Sequence, residues 1–140
     1  MKHISFDTLS DSAWSNINII NQKKKVGITT KKNEFGITLK LDRFDTLKLK
    51  NKLLLVNAKI FALDSLKDAK IILSIETENQ TIYYQNFKIN NYKKNIKEWI
   101  PVQFIFTALP ESQKPSRLNL YIWNAGRNTF YYTDLSACFY

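Results

Sequence analysis

The chain has 140 residues, 44% hydrophobic and 14% aromatic, with three Gly and three Pro; this suits one domain with its own core and excludes disordered, low-complexity and collagen-like chains. A formal net charge of +9 raises the question of a polyanionic partner, yet only Arg43, Arg117 and Arg127 of the 21 basic residues are arginine, so nucleic acid is not the expected partner. No stretch reaches the roughly 18 apolar residues of a membrane span, so this segment is not expected to insert in a membrane.

In chain order, the first expected strand covers 4–7, with no apolar stretch of signal-peptide length around it. A second covers 26–29. Ile37, Leu39 and Leu41 then alternate with Thr38, Lys40 and Asp42, which predicts a strand with one apolar face. The run 54–61 is apolar on both faces: Leu54, Val56, Ala58 and Ile60 on one, Leu55 and Phe61 on the other. Residues 62–70 read as a loop with one helical turn, too short for a stable helix. Ile71, Leu73 and Ile75 mark the next strand, and 82–89 another. Val102, Phe104 and Phe106 oppose Gln103, Ile105 and Thr107. Leu118, Leu120 and Ile122 oppose Asn119, Tyr121 and Trp123, and 130–139 closes the chain.

Nine short strands without a competing helix read as a sandwich or barrel, and the expected fold over 1–140 is an all-β domain, a two-sheet antiparallel β-sandwich of jelly-roll type. Each apolar face must be buried, and without helices the covering layer is a second sheet. Trp14 and Trp99 are expected in the core. The lysines read as solvated edges and loop tips, where they block edge-to-edge aggregation. Cys138 lies opposite the apolar set Leu135, Ala137 and Phe139 and reads as a small structural thiol.

The C-terminal strings Leu118–Asn119–Leu120–Tyr121–Ile122–Trp123–Asn124–Ala125–Gly126–Arg127 and Phe130–Tyr131–Tyr132–Thr133–Asp134–Leu135 resemble the closing hairpin of carbohydrate-binding-module-like, or galactose-binding-domain-like, jelly rolls. Phe6–Asp7 with Trp14, the Asn33–Glu34–Phe35–Gly36 segment, and Trp99 leading to Leu109–Pro110 are similar to earlier pieces of that family in order. The resemblance implies a module appended to a larger bacterial surface or membrane protein, hence an extracytoplasmic place; a cytoplasmic protein is the other reading. It also implies a structural Ca²⁺, held in many members by carboxylates at the positions of Asp7 and Asp134. This chain keeps one carboxylate where the family has an acidic pair, so the reading without a cofactor is preferred.

Catalytic constellations are missing. The sole histidine, His3, falls at an end expected to fray, which removes a nucleophile–base triad, and one Cys with one His cannot furnish a zinc site. Gly27, Gly36 and Gly126 are isolated, so there is no phosphate loop. Glu76 and Glu78 lie two apart at a strand end beside Asn79; neighbouring solvated carboxylates are the expected reading, not a glycosidase pair.

Sugar binding needs aromatic faces to stack on pyranose rings and amides or carboxylates for the hydroxyls. Alternation turns Trp123, Tyr121 and Asn119 outward, and Tyr84 (or Tyr83), Gln103 and Phe61 are candidates to share that face. The expected function is a non-catalytic carbohydrate-binding-like module with a glycan partner. The alternative is an accessory domain docking on a neighbouring domain of its own polypeptide or on a partner. Capture of an acidic polymer by the scattered lysines is the third reading.

Overall fold

Strands with one apolar face pack in pairs of layers, and the computed structural model shows two antiparallel sheets forming a sandwich. It describes residues 2–5, 14, 15, 17, 19–21, 25–44, 48–63, 66–89, 97–111 and 116–140. The strands among them are β1 (Lys2–Ser5), β2 (Trp14–Ser15), β3 (Ile19–Asn21), β4 (Val26–Thr29), β5 (Phe35–Phe44), β6 (Leu54–Ala62), β7 (Ala69–Glu76), β8 (Thr81–Lys88), β9 (Trp99–Phe106), β10 (Ser116–Asn124) and β11 (Phe130–Phe139). The first sheet has the order β3-β4-β11-β6-β9, and the second β2-β5-β10-β7-β8. One edge of β11 is shared end to end: β4 pairs with Phe130, Tyr131 and Tyr132, and β1 with the stretch from Ser136 to Phe139. The whole is an all-β jelly-roll sandwich.

Three expectations about elements need correction. β2 and β3 were not anticipated, because two or three residues are too few to show a period. Between 62 and 70 no helical turn stands among the described residues; β6 runs through Ala62, a turn occupies Lys67 and Asp68, and β7 begins at Ala69. His3 is not at a frayed end, since it pairs in register with Cys138.

The core is built from the inward parity of each strand. Leu39, Leu73 and Leu118 of the second sheet and Leu54, Val56 and Phe106 of the first are shut from solvent. Aromatic rings join the layers: Phe87 of β8 packs on Phe104 and Phe106 of β9 at 6.0 and 5.0 Å, and Phe44 on Phe139 at 4.8 Å. Trp14 is in the core at 4% exposure. Trp99 is not: it shares the parity of Gln103 and stands 44% exposed on the outer face, while Ile100 and Val102 turn inward. Cys138 is a free, half-buried thiol facing away from Ala137 and Phe139. Among the described residues no helix is long and apolar enough to cross a membrane.

The central strands of the two sheets, β10 and β11, are consecutive in sequence, and the turn between them is locked by amides. Asn124 is fully buried. Its Nδ2 donates to the carbonyls of Thr30, Asn33 and Asn128 at 3.2, 3.1 and 2.9 Å, and its Oδ1 accepts the Asn128 backbone N–H at 2.9 Å. Asn128 Nδ2 donates to the Lys67 carbonyl at 2.6 Å. Gly126 permits that close approach, because a Cβ there would lie 1.8 Å from the Lys67 oxygen. Three turns are thus tied together at one end of the second sheet, with every polar atom of the Asn124 side chain satisfied.

Candidate functional site

The tied end carries Trp123, the first of a row along β10. Side chains of one parity stand on one face of a strand, so Trp123, Tyr121, Asn119 and Arg117 line the outer face of the second sheet over about 20 Å, at roughly 3.4 Å per residue. Because β10 is the middle strand of its sheet, the row has neighbours on both sides. Register places Phe35 and Lys70 beside Trp123, Thr38 and Ile72 beside Tyr121, and Lys40 and Ser74 beside Asn119. One strand further out, β8 adds Lys88 opposite Lys70, Asn86 opposite Ile72 and Tyr84 opposite Ser74.

The face has a buried floor and partly exposed aromatic walls. Ile72, Ser74 and Thr38 are 1%, 6% and 7% exposed although they point away from the core, whereas Phe35 and Tyr84 are about half exposed. Ile72 falls outside the core cluster and is an apolar element of this face alone. The Phe35 and Tyr121 rings meet edge to face at 6.0 Å, and the Lys70 ammonium lies 5.5 Å from the Trp123 ring centroid. The Trp123 indole N–H is buried without an acceptor. Burial, with Tyr84 and Glu76 nearby, holds the Tyr121 phenol above its usual pKa, so at neutral pH it is a hydrogen-bond donor.

At the far end of the row a β-bulge in β5 brings Asp42 and Arg43 to the surface, Arg43 with a φ of 55°. Arg117 Nε donates to Asp42 Oδ1 at 2.9 Å. Glu76, Thr77, Glu78 and Ser116 complete an open polar hollow of about 550 Å³. Glu76 accepts a long hydrogen bond from Ser74 at 3.4 Å. The face therefore runs from an aromatic, lysine-bearing end to a carboxylate-bearing one.

Of the sequence-derived candidates, Trp123, Tyr121, Asn119 and Tyr84 share this face. Gln103 does not: it lies on β9 in the other sheet, where its Nε2 donates to Asn57 Oδ1 at 2.9 Å. Phe61 is also on that opposite face, in contact with Trp99 at 5.6 Å and Tyr131 at 6.0 Å. Tyr83 has the inward parity of β8 and donates to the Thr107 carbonyl at 2.9 Å. Phe35, Lys70 and Ile72 were missed. Phe35 shares the sequence parity of the inward Ile37 and Leu39, and only the register shift between Tyr121 and Trp123 turns it outward.

Asp134 sits on the opposite sheet, at the register shift of β11, with a φ of 53°. Its carboxylate lies 3.1 Å from the Lys59 ammonium, with both side chains about half exposed. Asp7 lies outside the described residues. Among those described, no group of three or more His, Cys, Asp or Glu is placed to hold a metal.

No protein-family model matches the chain, and no curated protein matches it. Solved structures do match. The second N-terminal cellulose-binding domain of Cellulomonas fimi β-1,4-glucanase C aligns at 13% identity over 99% of this chain and 92% of that one, with a TM-score of 0.58. The CBM22-2 xylan-binding domain from Paenibacillus barcinonensis Xyn10C aligns at 13% identity over 99% of both, with a TM-score of 0.56. A cyclase from Fischerella sp. TAU also matches, at 16% identity over 95% of this chain and 72% of that one, with a TM-score of 0.47. At such identities the likeness is one of architecture, and the architecture is the jelly-roll β-sandwich of carbohydrate-binding modules.

Proposed function

We propose that the chain is a non-catalytic carbohydrate-binding module that takes a glycan on the outer face of its second sheet. The observation that carries this reading is the row on β10, where Trp123, Tyr121, Asn119 and Arg117 follow one another with Phe35 and Tyr84 on flanking strands. Aromatic faces suit the C–H faces of pyranose rings, while the amide of Asn119, the phenol of Tyr121 and the far-end charges suit their hydroxyls. A row running along one strand fits an extended segment of chain better than a single sugar. Affinity electrophoresis through a panel of soluble polysaccharides tests the idea. At least one should retard the domain, and Trp123→Ala and Tyr121→Ala should each abolish the retardation while leaving the circular dichroism spectrum unchanged. A folded domain that migrates freely through every gel would sink the reading.

A second reading has its own observation. The outer face of the first sheet carries Phe61 between Trp99 and Tyr131 and in contact with both, with Ile105 45% and Ile20 57% exposed. Such a surface favours an accessory role in which the domain docks on a neighbouring domain of its polypeptide or on a partner. In that case Trp99→Glu should weaken association with the flanking chain and leave glycan retardation intact.

A further inference from the structure

We infer that the glycan taken by the second sheet is anionic, with a carboxylate or sulfate group on a sugar ring seated between Lys70 and Lys88 beside Trp123. The inference rests on the glycan-binding reading above and narrows its substrate class. Lys70 and Lys88 are directly opposite in the β7–β8 pairing and share the outer face. Opposed residues of an antiparallel pair hold their Cβ atoms roughly 5 Å apart, where like charges destabilise the sheet. Four cations on or beside the sheets are matched: Lys59 with Asp134, Arg117 with Asp42, Arg127 with Glu34, Lys52 with Glu111. Lys70 and Lys88 make no such pair among the described residues.

The surroundings favour an anion from outside. The carboxylates of the face, Asp42 and Glu76, lie at the other end of the row, beyond Asn119 and Ser74. Glu34, at the near end, is engaged by Arg127 at 3.4 Å, and Asp68, two residues before Lys70, is in none of the ion pairs among the described residues. Lys70 lies over the Trp123 ring at 5.5 Å, which keeps its charge on the face where a stacked sugar would sit. A pyranose on Trp123 would thus present its ring substituent to two ammonium groups, and Asn86 beside them can serve a neighbouring hydroxyl. The two possible anionic substituents share this chemistry.

The test compares polygalacturonate, a sulfated galactan and neutral polysaccharides by isothermal titration at 50 and 150 mM salt. At least one acidic polymer should bind more tightly than every neutral one. Lys70→Gln and Lys88→Gln should each weaken that binding about tenfold, the effect of losing one charge-assisted hydrogen bond. Lys48→Gln/Lys50→Gln, on exposed residues away from the face, should leave it unchanged. Preference for the uronate or for the sulfate ester identifies the substituent. Equal loss in the Lys48/Lys50 variant would reveal unspecific attraction to the net positive charge and overturn the inference. Binding confined to neutral glycans would overturn it too while leaving the glycan reading standing. Binding to none of the polymers would remove both.

Discussion

The sandwich has two outer faces, both aromatic, and they use their rings differently. On the first sheet Phe61 packs against both Trp99 and Tyr131, at interplanar angles of 57° and 58°, so these rings are partly spent on one another. On the second sheet Tyr121 and Phe35 meet edge to face, Trp123 meets an ammonium, and polar side chains stand among the rings. Aromatic content alone therefore does not mark a sugar site. Rings separated by hydrogen-bonding groups over a filled floor suit a ligand that is apolar on one side and polar at its rim; rings packed together suit a protein surface.

The comparison breaks most sharply at Asn124. Asn124→Ala should lower stability by about 2–4 kcal/mol in urea denaturation, because the carbonyls of Thr30, Asn33 and Asn128 lose their common donor. Hydrogen exchange should show the loosening first at the turns tied to the Trp123 end. Equal loosening of the Trp99 face would mean that the two faces are not independently held.

Next in size, Trp123→Ala should cost about tenfold to a hundredfold in glycan affinity, against no measurable change for Trp99→Ala. The reverse order would exchange the roles assigned to the two faces. Smaller still is the exposed Lys59–Asp134 pair, for which Asp134→Asn should change stability by about 0–1 kcal/mol. Thermal melts in calcium and in chelator should superimpose, and a rise in Tm with calcium that Asp134→Asn removes would contradict the assignment of this carboxylate to Lys59.

The smallest effect expected is at alkaline pH. Burial raises the pKa of Tyr83, and burial with Tyr84 and Glu76 raises that of Tyr121. The folded state therefore holds these protons more tightly than the unfolded one. Stability is unaffected below the unfolded value near pH 10 and falls as pH rises beyond it. Tyr121→Phe should flatten that decline, and an identical alkaline slope in the variant would exclude Tyr121 as a contributor.

Alternation made the direction of each side chain legible in the sequence, and Trp123, Tyr121, Asn119, Gln103 and Phe61 all point outward as expected. It does not carry strand order. Outward on β9 and outward on β10 are opposite sides of the molecule, because the two strands belong to different sheets; this is why Gln103 and Phe61 left the candidate site. Pairing is a long-range property, fixed by how whole faces pack. Local irregularities were also hidden: the register shift that exposes Phe35, and the early start of β7 that brings Lys70 onto the face beside Trp123. Trp99 illustrates the converse error, since bulk suggested burial while parity pointed to solvent.

The placement of β10 and β11 at the middle of opposite sheets governs how the molecule can assemble. Neither layer can close before these strands exist, for β5 and β7 have only β10 between them, and β4 and β6 have only β11. As the polypeptide is synthesised, everything through β9 must wait with its inner strand edges open. Such topologies, dominated by distant pairings, fold slowly, and waiting edges invite pairing with other chains. A chain cut between β9 and β10 is therefore expected to aggregate, not to persist as half a sandwich.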